Sequence, residues 1–170
     1  GAAAVLGAAR AIGELAPGGV EAHFVVAACE NMISDRAMVP SDILTASNGK
    51  TIEVMNTDAE GRLTLADALV FCDKEIKCEK IIELSTLTGA CMVALGKQLC
   101  GVWTSNDELA NELGDISKQT GDLSWRMPLF KEYNEQLESK FADIKNVGTQ
   151  YGGSITAALF LQNFVNSTKP

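Results

Sequence analysis

The residues with the clearest chemical potential are two carboxylates, Asp58 and Glu60, and the arginine that follows at position 62. In an extended segment, side chains two residues apart point to the same side, whereas on a helix they diverge by about 200°. Two converging carboxylates are suited to divalent cations such as Mg²⁺, Mn²⁺ or Zn²⁺. Arg62 adds a planar set of donors that can hold an oxyanion or a small bridging anion. The pattern therefore indicates a metal site with an anion beside it.

The same three residues also have a purely structural interpretation. An Asp-x-Glu sequence directly before a helix can cap the helix N-terminus and complement the helix dipole. Gly61 permits a tight turn, and amides at a helix start can bind an anion without any metal. From spacing alone, both capping and metal binding remain open.

Helices and strands alternate along the chain and must position these residues. Hydrophobic periodicity and turn residues predict helices over residues 1–15, 63–71, 90–95, 106–118, 128–139 and 155–165. Asn106 is the expected N-cap of the fourth of them. They predict strands over residues 20–29, 51–55, 80–87 and 99–104, the first and third of them buried, with a hairpin turn at Asn48-Gly49. This alternation predicts an α/β fold with three layers, α/β/α, and a mixed, largely parallel central sheet. The two carboxylates lie beyond a strand end, where ligands of such sheets collect.

Composition narrows the class of protein. A chain of 170 residues is expected to form one domain or a large part of one. Its 14 basic and 22 acidic residues give a net charge of −8, which argues against nucleic-acid or anionic-membrane binding by this segment. No apolar run reaches the roughly 18 residues of a membrane helix. The five cysteines form no CxxC pair, which predicts buried, reduced thiols in an intracellular protein.

Several other residues receive structural interpretations. His23, the only histidine, lies in a predicted strand and is expected to be structural, so no Ser-His-Asp set can be built. Asp42 is expected to have a surface or turn role, and Asp67, on the helix predicted over residues 63–71, is expected to be structural. Trp103 and Trp125 are interpreted as core or interface anchors.

The eight residues 56–63, Asn-Thr-Asp-Ala-Glu-Gly-Arg-Leu, resemble the signature of the leucyl aminopeptidases, the cytosol aminopeptidase family of two-metal exopeptidases. The resemblance extends through nearly the whole chain. It includes residues 48–54, the Leu-Thr-Gly-Ala sequence within residues 85–90, and the Gly-Gly-Ser-Ile-Thr-Ala-Ala-Leu-Phe sequence of residues 152–160. Glu83 and Ser85 stand where relatives often have a shorter acid and an alanine.

The resemblance implies a metal-dependent aminopeptidase that releases N-terminal, leucine-like residues from peptides. Two divalent ions (Mn²⁺ or Zn²⁺, or else Mg²⁺) would activate a water, with bicarbonate as the general base. By resemblance, Asp58 and Glu60 are metal ligands, with Glu60 bridging the two ions, and Arg62 is the catalytic side chain that holds the bicarbonate. The implied backbone contacts to this anion come from Ala59, Gly61 and Leu63. The implied substrate-binding residues are Thr86, Leu87, Gly89 and either Ala157 or its neighbour Ala158.

The resemblance also implies that residues 1–170 are an internal part of the catalytic domain. The family's other metal ligands, a lysine and two aspartates, and its second catalytic lysine would lie upstream of Gly1. A final segment would follow Lys169-Pro170, where the chain stops without a finishing element. We therefore expect the chain alone to be inactive, although the whole protein is an enzyme.

The family further implies a homo-hexamer that acts on peptides with a free N-terminus. It implies a cytoplasmic location, with an organellar transit peptide before Gly1 left open. The alternative is a non-catalytic structural or scaffold subunit that keeps the aminopeptidase fold. The intact set of Asp58, Glu60 and Arg62 favours the enzyme.

Overall fold

The structure, a computed structural model, describes residues 1–165. Its α-helices are α1 (Ala2–Leu15), α2 (Gly61–Phe71), α3 (Gly89–Leu95), α4 (Asp107–Thr120) and α5 (Gly153–Gln162). Its strands are β1 (Ile43–Thr45), β2 (Thr51–Glu53), β3 (Cys100–Val102), β4 (Ser124–Arg126) and β5 (Ile144–Lys145). A π-helical turn (Cys72–Ile76) extends α2, and a 3₁₀-helix (Lys131–Leu137) precedes β5.

The strands that support the signature form a mixed three-stranded sheet in the order β1-β2-β5. β1 and β2 are antiparallel and are joined by the predicted hairpin turn, in which Gly49 has a φ of +89°. The Asn48 side chain accepts a hydrogen bond from the Lys50 amide at 3.0 Å, which closes the turn. β2 and β5 are parallel, with Ile52 opposite Ile144. β2 is thus the central strand, and the signature loop follows it directly.

The hydrophobic core lies where α2 and α5 pack together beside the three-stranded sheet. Val54, Ala66 and Phe160 are completely inaccessible to solvent. Leu137 of the 3₁₀-helix and Leu159 of α5 complete the centre of this cluster. The burial of these apolar side chains is the main source of stability for β2 and α2, the two elements that flank the signature residues.

The α/β fold class is confirmed, and two of the three strand pairings within residues 1–165 are parallel. The strands nevertheless form two separate small sheets, since β3 and β4 pair only with each other. The predictions of α1, the hairpin, β3 and α4 are confirmed, and Asn106 caps α4 by accepting a hydrogen bond from the Leu109 amide at 2.9 Å. α2 begins two residues earlier than predicted, and α5 spans 153–162 instead of 155–165.

The predicted buried strands over residues 20–29 and 80–87 are wrong for the described structure. Both segments lack a hydrogen-bonded partner strand within residues 1–165, and most of their side chains are exposed. An apolar, β-branched run indicates a tendency to be buried, but it does not specify which neighbouring strands would cover it. His23 therefore lies outside any strand, with Nε2 2.8 Å from Oε1 of Glu21.

The predicted helix over 128–139 is also wrong in type and extent. Only residues 131–137 are helical, and they form a tight 3₁₀-helix. Phe130 precedes this helix with an extended backbone, which limits the helix at its N-terminal side. Two strands, β4 and β5, were missed because runs of two or three residues carry too little alternation to be recognised.

The five cysteines are free, as predicted, but they are not buried, since Cys29 and Cys100 are exposed and the others are half-buried. Asp42 accepts a hydrogen bond from the Val39 amide and Asp67 accepts one from the Ser47 amide, both at 2.8 Å. These bonds confirm the structural roles predicted for the two aspartates. Trp125 is exposed, so it is not a core residue of the described chain.

None of the helices within residues 1–165 has the length and hydrophobicity needed to cross a bilayer. The chain end at Lys169-Pro170, for which we expected no finishing element, lies outside the described residues.

Candidate functional site

The signature loop is the turn of residues 55–60 that connects β2 to α2. The Asn56 side chain accepts a hydrogen bond from the Asp58 amide at 2.9 Å, and the Asn56 carbonyl accepts one from the Ala59 amide at 3.2 Å. These bonds close a tight turn through Thr57 and Asp58. The loop is therefore a compact turn and not the extended segment that the spacing of the carboxylates suggested. Glu60 already has helical backbone angles, and α2 begins at Gly61.

The two carboxylates do not cap α2. Glu60 occupies the capping position, but its side chain makes no hydrogen bond to the helix backbone. Its Oε1 accepts a single long hydrogen bond of 3.4 Å from the Asn31 side chain. No hydrogen bond or ion pair within the described residues reaches the exposed carboxylate of Asp58. The capping interpretation therefore loses its structural basis, and both carboxylates are free to bind a cation.

Carboxylate oxygens are the donors that hard and borderline divalent cations prefer, so these residues fit the implied metals. Within residues 1–165, no group of three or more His, Cys, Asp or Glu side chains is placed to hold a metal ion. Two carboxylates are fewer than the ligands a tightly held divalent ion usually takes. The described part of the chain therefore provides a partial ligand set.

Arg62 lies on the first turn of α2, with only 5% of its surface exposed. Its Nη1 donates a hydrogen bond of 2.9 Å to the Asn146 carbonyl, and its Cζ lies 5.9 Å from the centre of the Phe160 ring. Its Nε is inaccessible to solvent and has no acceptor among the described residues. Burial lowers the pKa of Arg62, although a guanidinium remains charged at physiological pH. A buried cation without a carboxylate partner is costly, so this position is suited to a bound anion.

The backbone groups expected around that anion are not equally free. The Ala59 amide donates to the Asn56 carbonyl, and the Leu63 amide donates to the Glu60 carbonyl at 2.9 Å. Only the Gly61 amide has no hydrogen-bond partner within residues 1–165. Gly61 is therefore the backbone donor best placed to accompany Arg62.

Asn146 is the residue of this site that sequence analysis missed. It follows β5 and is completely buried. Its Nδ2 donates to the carbonyls of Asn56 at 2.7 Å and Ala59 at 3.3 Å, and its Oδ1 accepts from the Met55 amide at 2.8 Å. Nothing in the local sequence distinguishes it from an ordinary loop asparagine. Its position becomes evident only once β5 is paired with β2.

The candidate substrate residues are only partly brought together. Leu87 Cδ1 lies 3.7 Å from the position that a β-carbon would take at Gly61, so this side chain borders the signature loop. Thr86 is exposed, and Gly89 begins α3, whose N-terminus is capped by the Thr88 hydroxyl. α3 packs against α5, which carries Ala157. Ala157 is only 2% exposed and belongs to the interior in this part of the chain.

Comparison with known proteins finds relatives over nearly the whole chain. The model of the cytosol aminopeptidase family, catalytic domain, matches residues 1–170. The chain is 60% identical over 167 residues to a probable cytosol aminopeptidase of Prochlorococcus marinus, covering 98% of this chain and 34% of that protein. It is also 60% identical over 167 residues to a chloroplastic leucine aminopeptidase 2 of Oryza sativa subsp. japonica, covering 98% and 28%.

Among solved structures, a point mutant of tomato leucine aminopeptidase superposes with a TM-score of 0.97 at 58% identity. That match covers 99% of this chain and 33% of the tomato chain. The chain thus spans about a third of the length of the curated relatives it matches.

Proposed function

The chain belongs to the cytosol aminopeptidase family, and on that basis we propose that its protein is a metal-dependent aminopeptidase. The proposed reaction releases N-terminal, leucine-like residues from peptides by hydrolysis. The observation that carries the proposal is the proximity in sequence of two carboxylates on the signature loop, neither of which caps α2, to a buried, half-satisfied arginine on the first turn of that helix. We propose further that residues 1–170 form one part of the catalytic domain.

Asp58 and Glu60 would hold the metal ions through their carboxylates, together with ligands from elsewhere in the protein. When bound, two divalent ions (Mn²⁺, Zn²⁺ or Mg²⁺) would lower the pKa of a water, polarise the scissile carbonyl and bind the free amine of the peptide. Asp58 is exposed and can meet an incoming ligand, whereas Glu60 lies closer to the helix.

Arg62 would hold a bicarbonate beside the carboxylates through its free Nε, assisted by the Gly61 amide. The bicarbonate is the proposed general base for the attacking water. The buried guanidinium would also offset negative charge that develops on the carbonyl oxygen, because a charge in a site that excludes water acts strongly at short range. The hydrogen bond to Asn146 holds the guanidinium in place before any ligand arrives.

Leu87 would form an apolar wall beside the signature loop, since it approaches Gly61 closely. Thr86, Gly89 and Ala157 would contribute to the pocket for the first side chain. Small and apolar residues at these positions favour a leucine-like group over a charged one. The proposed partners are peptides with a free N-terminus, and the net charge of −8 argues against nucleic acid as a ligand of this segment.

We propose that the chain alone does not hydrolyse peptides, because its described residues supply only two carboxylates to the site. The proposed assembly of the whole protein is a homo-hexamer. Its proposed location is the cytoplasm, although a relative named as chloroplastic shows that the family also includes plastid forms.

The test is hydrolysis of a leucyl chromogenic amide by the full-length protein, with and without added Mn²⁺ or Zn²⁺. Asp58→Asn should abolish metal-dependent turnover. Asp67→Asn is the matched control, because Asp67 lies on the adjacent helix and accepts a backbone hydrogen bond that asparagine can retain. The 170-residue chain should show no turnover. A folded, metal-loaded full-length protein without activity would contradict the proposal and favour a scaffold subunit.

A further inference from the structure

We infer that Asn146 is a positioning residue that sets the arrangement of the two carboxylates and Arg62 together. The inference rests on the proposed function, because it assigns Asn146 a role in that same site. Asn146 lies far from the signature in sequence, 90 positions after Asn56. It nevertheless contacts the loop through its side chain, and through its backbone it contacts the strand before the loop and the helix after it.

The side-chain amide of Asn146 uses its full hydrogen-bonding capacity. Nδ2 donates to the carbonyls of Asn56 and Ala59, at 2.7 and 3.3 Å. Oδ1 accepts from the amides of Met55 and Asn56, at 2.8 and 3.3 Å. The two N–H donors of the carboxamide face backbone carbonyls, and its oxygen faces backbone amides. If the carboxamide were flipped, its oxygen would face carbonyls and its NH₂ group would face amides, and these hydrogen bonds would be lost. Only a carboxamide of this length matches all four positions.

The backbone of Asn146 makes two further hydrogen bonds, one on each side of the signature loop. Its amide donates to the Glu53 carbonyl at the end of β2, at 2.9 Å. Its carbonyl accepts from Arg62 Nη1, also at 2.9 Å. One residue therefore connects the strand before the loop with the guanidinium on the helix after it.

These contacts bear directly on the chemistry of the loop. Ala59 lies between Asp58 and Glu60, so fixing the Ala59 carbonyl fixes the direction in which both carboxylates leave the backbone. Residues that orient metal ligands without touching the metal commonly change affinity or activity by about 10- to 100-fold when they are removed. Because Asn146 also holds Arg62, its removal should disturb the cation site and the anion site together.

The test uses Asn146→Ala and Asn146→Asp in the full-length protein. The aspartate keeps the size and the acceptor but replaces the two donors with an oxygen that faces two carbonyls. Asn163→Ala is the matched control, because Asn163 is also an asparagine whose side chain is hydrogen-bonded and half-buried. Its Nδ2 donates to the Leu159 carbonyl at 2.9 Å, and its Oδ1 accepts from Lys50 Nζ at 2.8 Å. Asn163 makes no contact with the signature loop among the described residues.

Three quantities are measured: hydrogen exchange of the 55–61 backbone without metal, Mn²⁺ affinity by calorimetry, and kcat and KM for the leucyl amide. Both Asn146 variants should exchange at least about tenfold faster over 55–61 and bind Mn²⁺ about 10- to 100-fold more weakly. They should also lower kcat more than they change KM. Asn163→Ala should lower Tm but leave all three quantities close to those of the wild type.

The inference is overturned if both folded Asn146 variants keep wild-type exchange over 55–61 and Mn²⁺ affinity within twofold. It is also overturned if neither variant folds, since Asn146 then supports the fold as a whole. In the wild type, the Met55 and Asn56 amides should exchange far more slowly than those of exposed loops, and unprotected amides there would contradict the inference without any variant. A wild type that lacks hydrolysis would refute the proposed function alone, because exchange and calorimetry still decide the role of Asn146.

Discussion

Arg62 donates from Nη1 to the backbone carbonyl of Asn146 at 2.9 Å, while its Nε, equally hidden from solvent, has no acceptor in residues 1–165. The hydrogen bond from Nη1 thus orients the guanidinium, while the N–H group at Nε lacks a hydrogen bond. A buried donor without an acceptor costs about 1–3 kcal/mol, and more when it is charged. Such a cost supports the proposal that Arg62 serves a ligand and not stability.

Arg62→Met should therefore separate stability from function in the full-length protein. Replacing a buried, incompletely paired charge by an apolar side chain of similar length is often neutral or stabilising. We expect Tm to stay the same or rise, while kcat falls about 100- to 1,000-fold, as it does when a preorganised electrostatic donor is lost. Differential scanning calorimetry and leucyl amide hydrolysis across a bicarbonate titration measure the two effects.

Arg10→Met is the control for this experiment, because the Arg10 side chain is exposed and its one ion pair within residues 1–165 is with Glu14 on the same helix. It should change neither Tm nor kcat appreciably. A loss of stability in Arg62→Met as large as its loss of activity would show that the arginine is structural.

Phe160→Ala should destabilise the chain by about 3–5 kcal/mol, because the ring is completely buried in the core and its removal leaves a cavity. The substitution also removes the ring beneath Arg62. Phe141→Ala is the matched control, since that ring is 75% exposed and should cost little. Urea unfolding of the two variants gives the comparison, and equal midpoints would contradict the assignment of the core.

Glu83 should make stability fall as the pH rises above about 4, the unfolded pKa of a glutamate. Burial raises the pKa of Glu83, and its Oε1 has no partner among the described residues, while the Ser85 hydroxyl donates to Oε2 at 3.1 Å. With a folded pKa above the unfolded one, the contribution to stability is complete below about pH 4, the unfolded pKa, and is lost as pH rises through the folded pKa. Glu83→Gln should therefore raise Tm at pH 7 and have little effect near pH 4.

Thermal unfolding at the two pH values tests this expectation, with Glu135→Gln as the exposed control. Glu135→Gln should give similar small shifts at both pH values. A Glu83→Gln variant that is less stable than the wild type at pH 7 would mean that the ionised carboxylate is favourably bound.

Asp143 should show the opposite dependence on pH. Its carboxylate accepts hydrogen bonds from both the amide and the hydroxyl of Thr51, each at 2.7 Å, and these bonds lower the pKa of Asp143. Its stabilising contribution is present above the unfolded pKa, about 3.9, and is lost as pH falls through the folded pKa. Asp143→Ala should lower Tm at pH 7, and its difference from the wild type should shrink towards pH 2.

Asp122→Ala is suited as the comparison, since the bonds of Asp122 within residues 1–165 involve its backbone. Its pH profile should follow that of the wild type. If Asp143→Ala has the same Tm as the wild type at every pH, the bonds to Thr51 contribute nothing to stability.

Local sequence features predicted the parts of the fold that depend on neighbouring residues. The Asn48-Gly49 turn and the Asn106 cap each use bonds within a few positions, so their residue types are sufficient to recognise them. The signature loop was likewise predicted to follow a strand and precede a helix, which the structure confirms. The roles of Asp58 and Glu60 as metal ligands stay predictions.

Features that depend on distant partners could not be read in the same way. The segments 20–29 and 80–87 have strand-like composition, but a strand is defined by its neighbours, and none is present within residues 1–165. The burial of Arg62 and the contacts of Asn146 depend on α5 and β5 docking against β2 and α2. No pattern over a few residues reports such long-range packing.

The connection between Asn146 and the signature loop also has a consequence for biosynthesis. A ribosome releases residue 56 long before residue 146, and a chain grows at roughly 5–20 residues per second. Closing so long a segment carries an entropic cost, and structures that depend on such distant pairings form slowly. The loop can therefore take up its final geometry only after Asn146 has emerged and docked, so the proposed cation site stays unordered in the nascent polypeptide for several seconds.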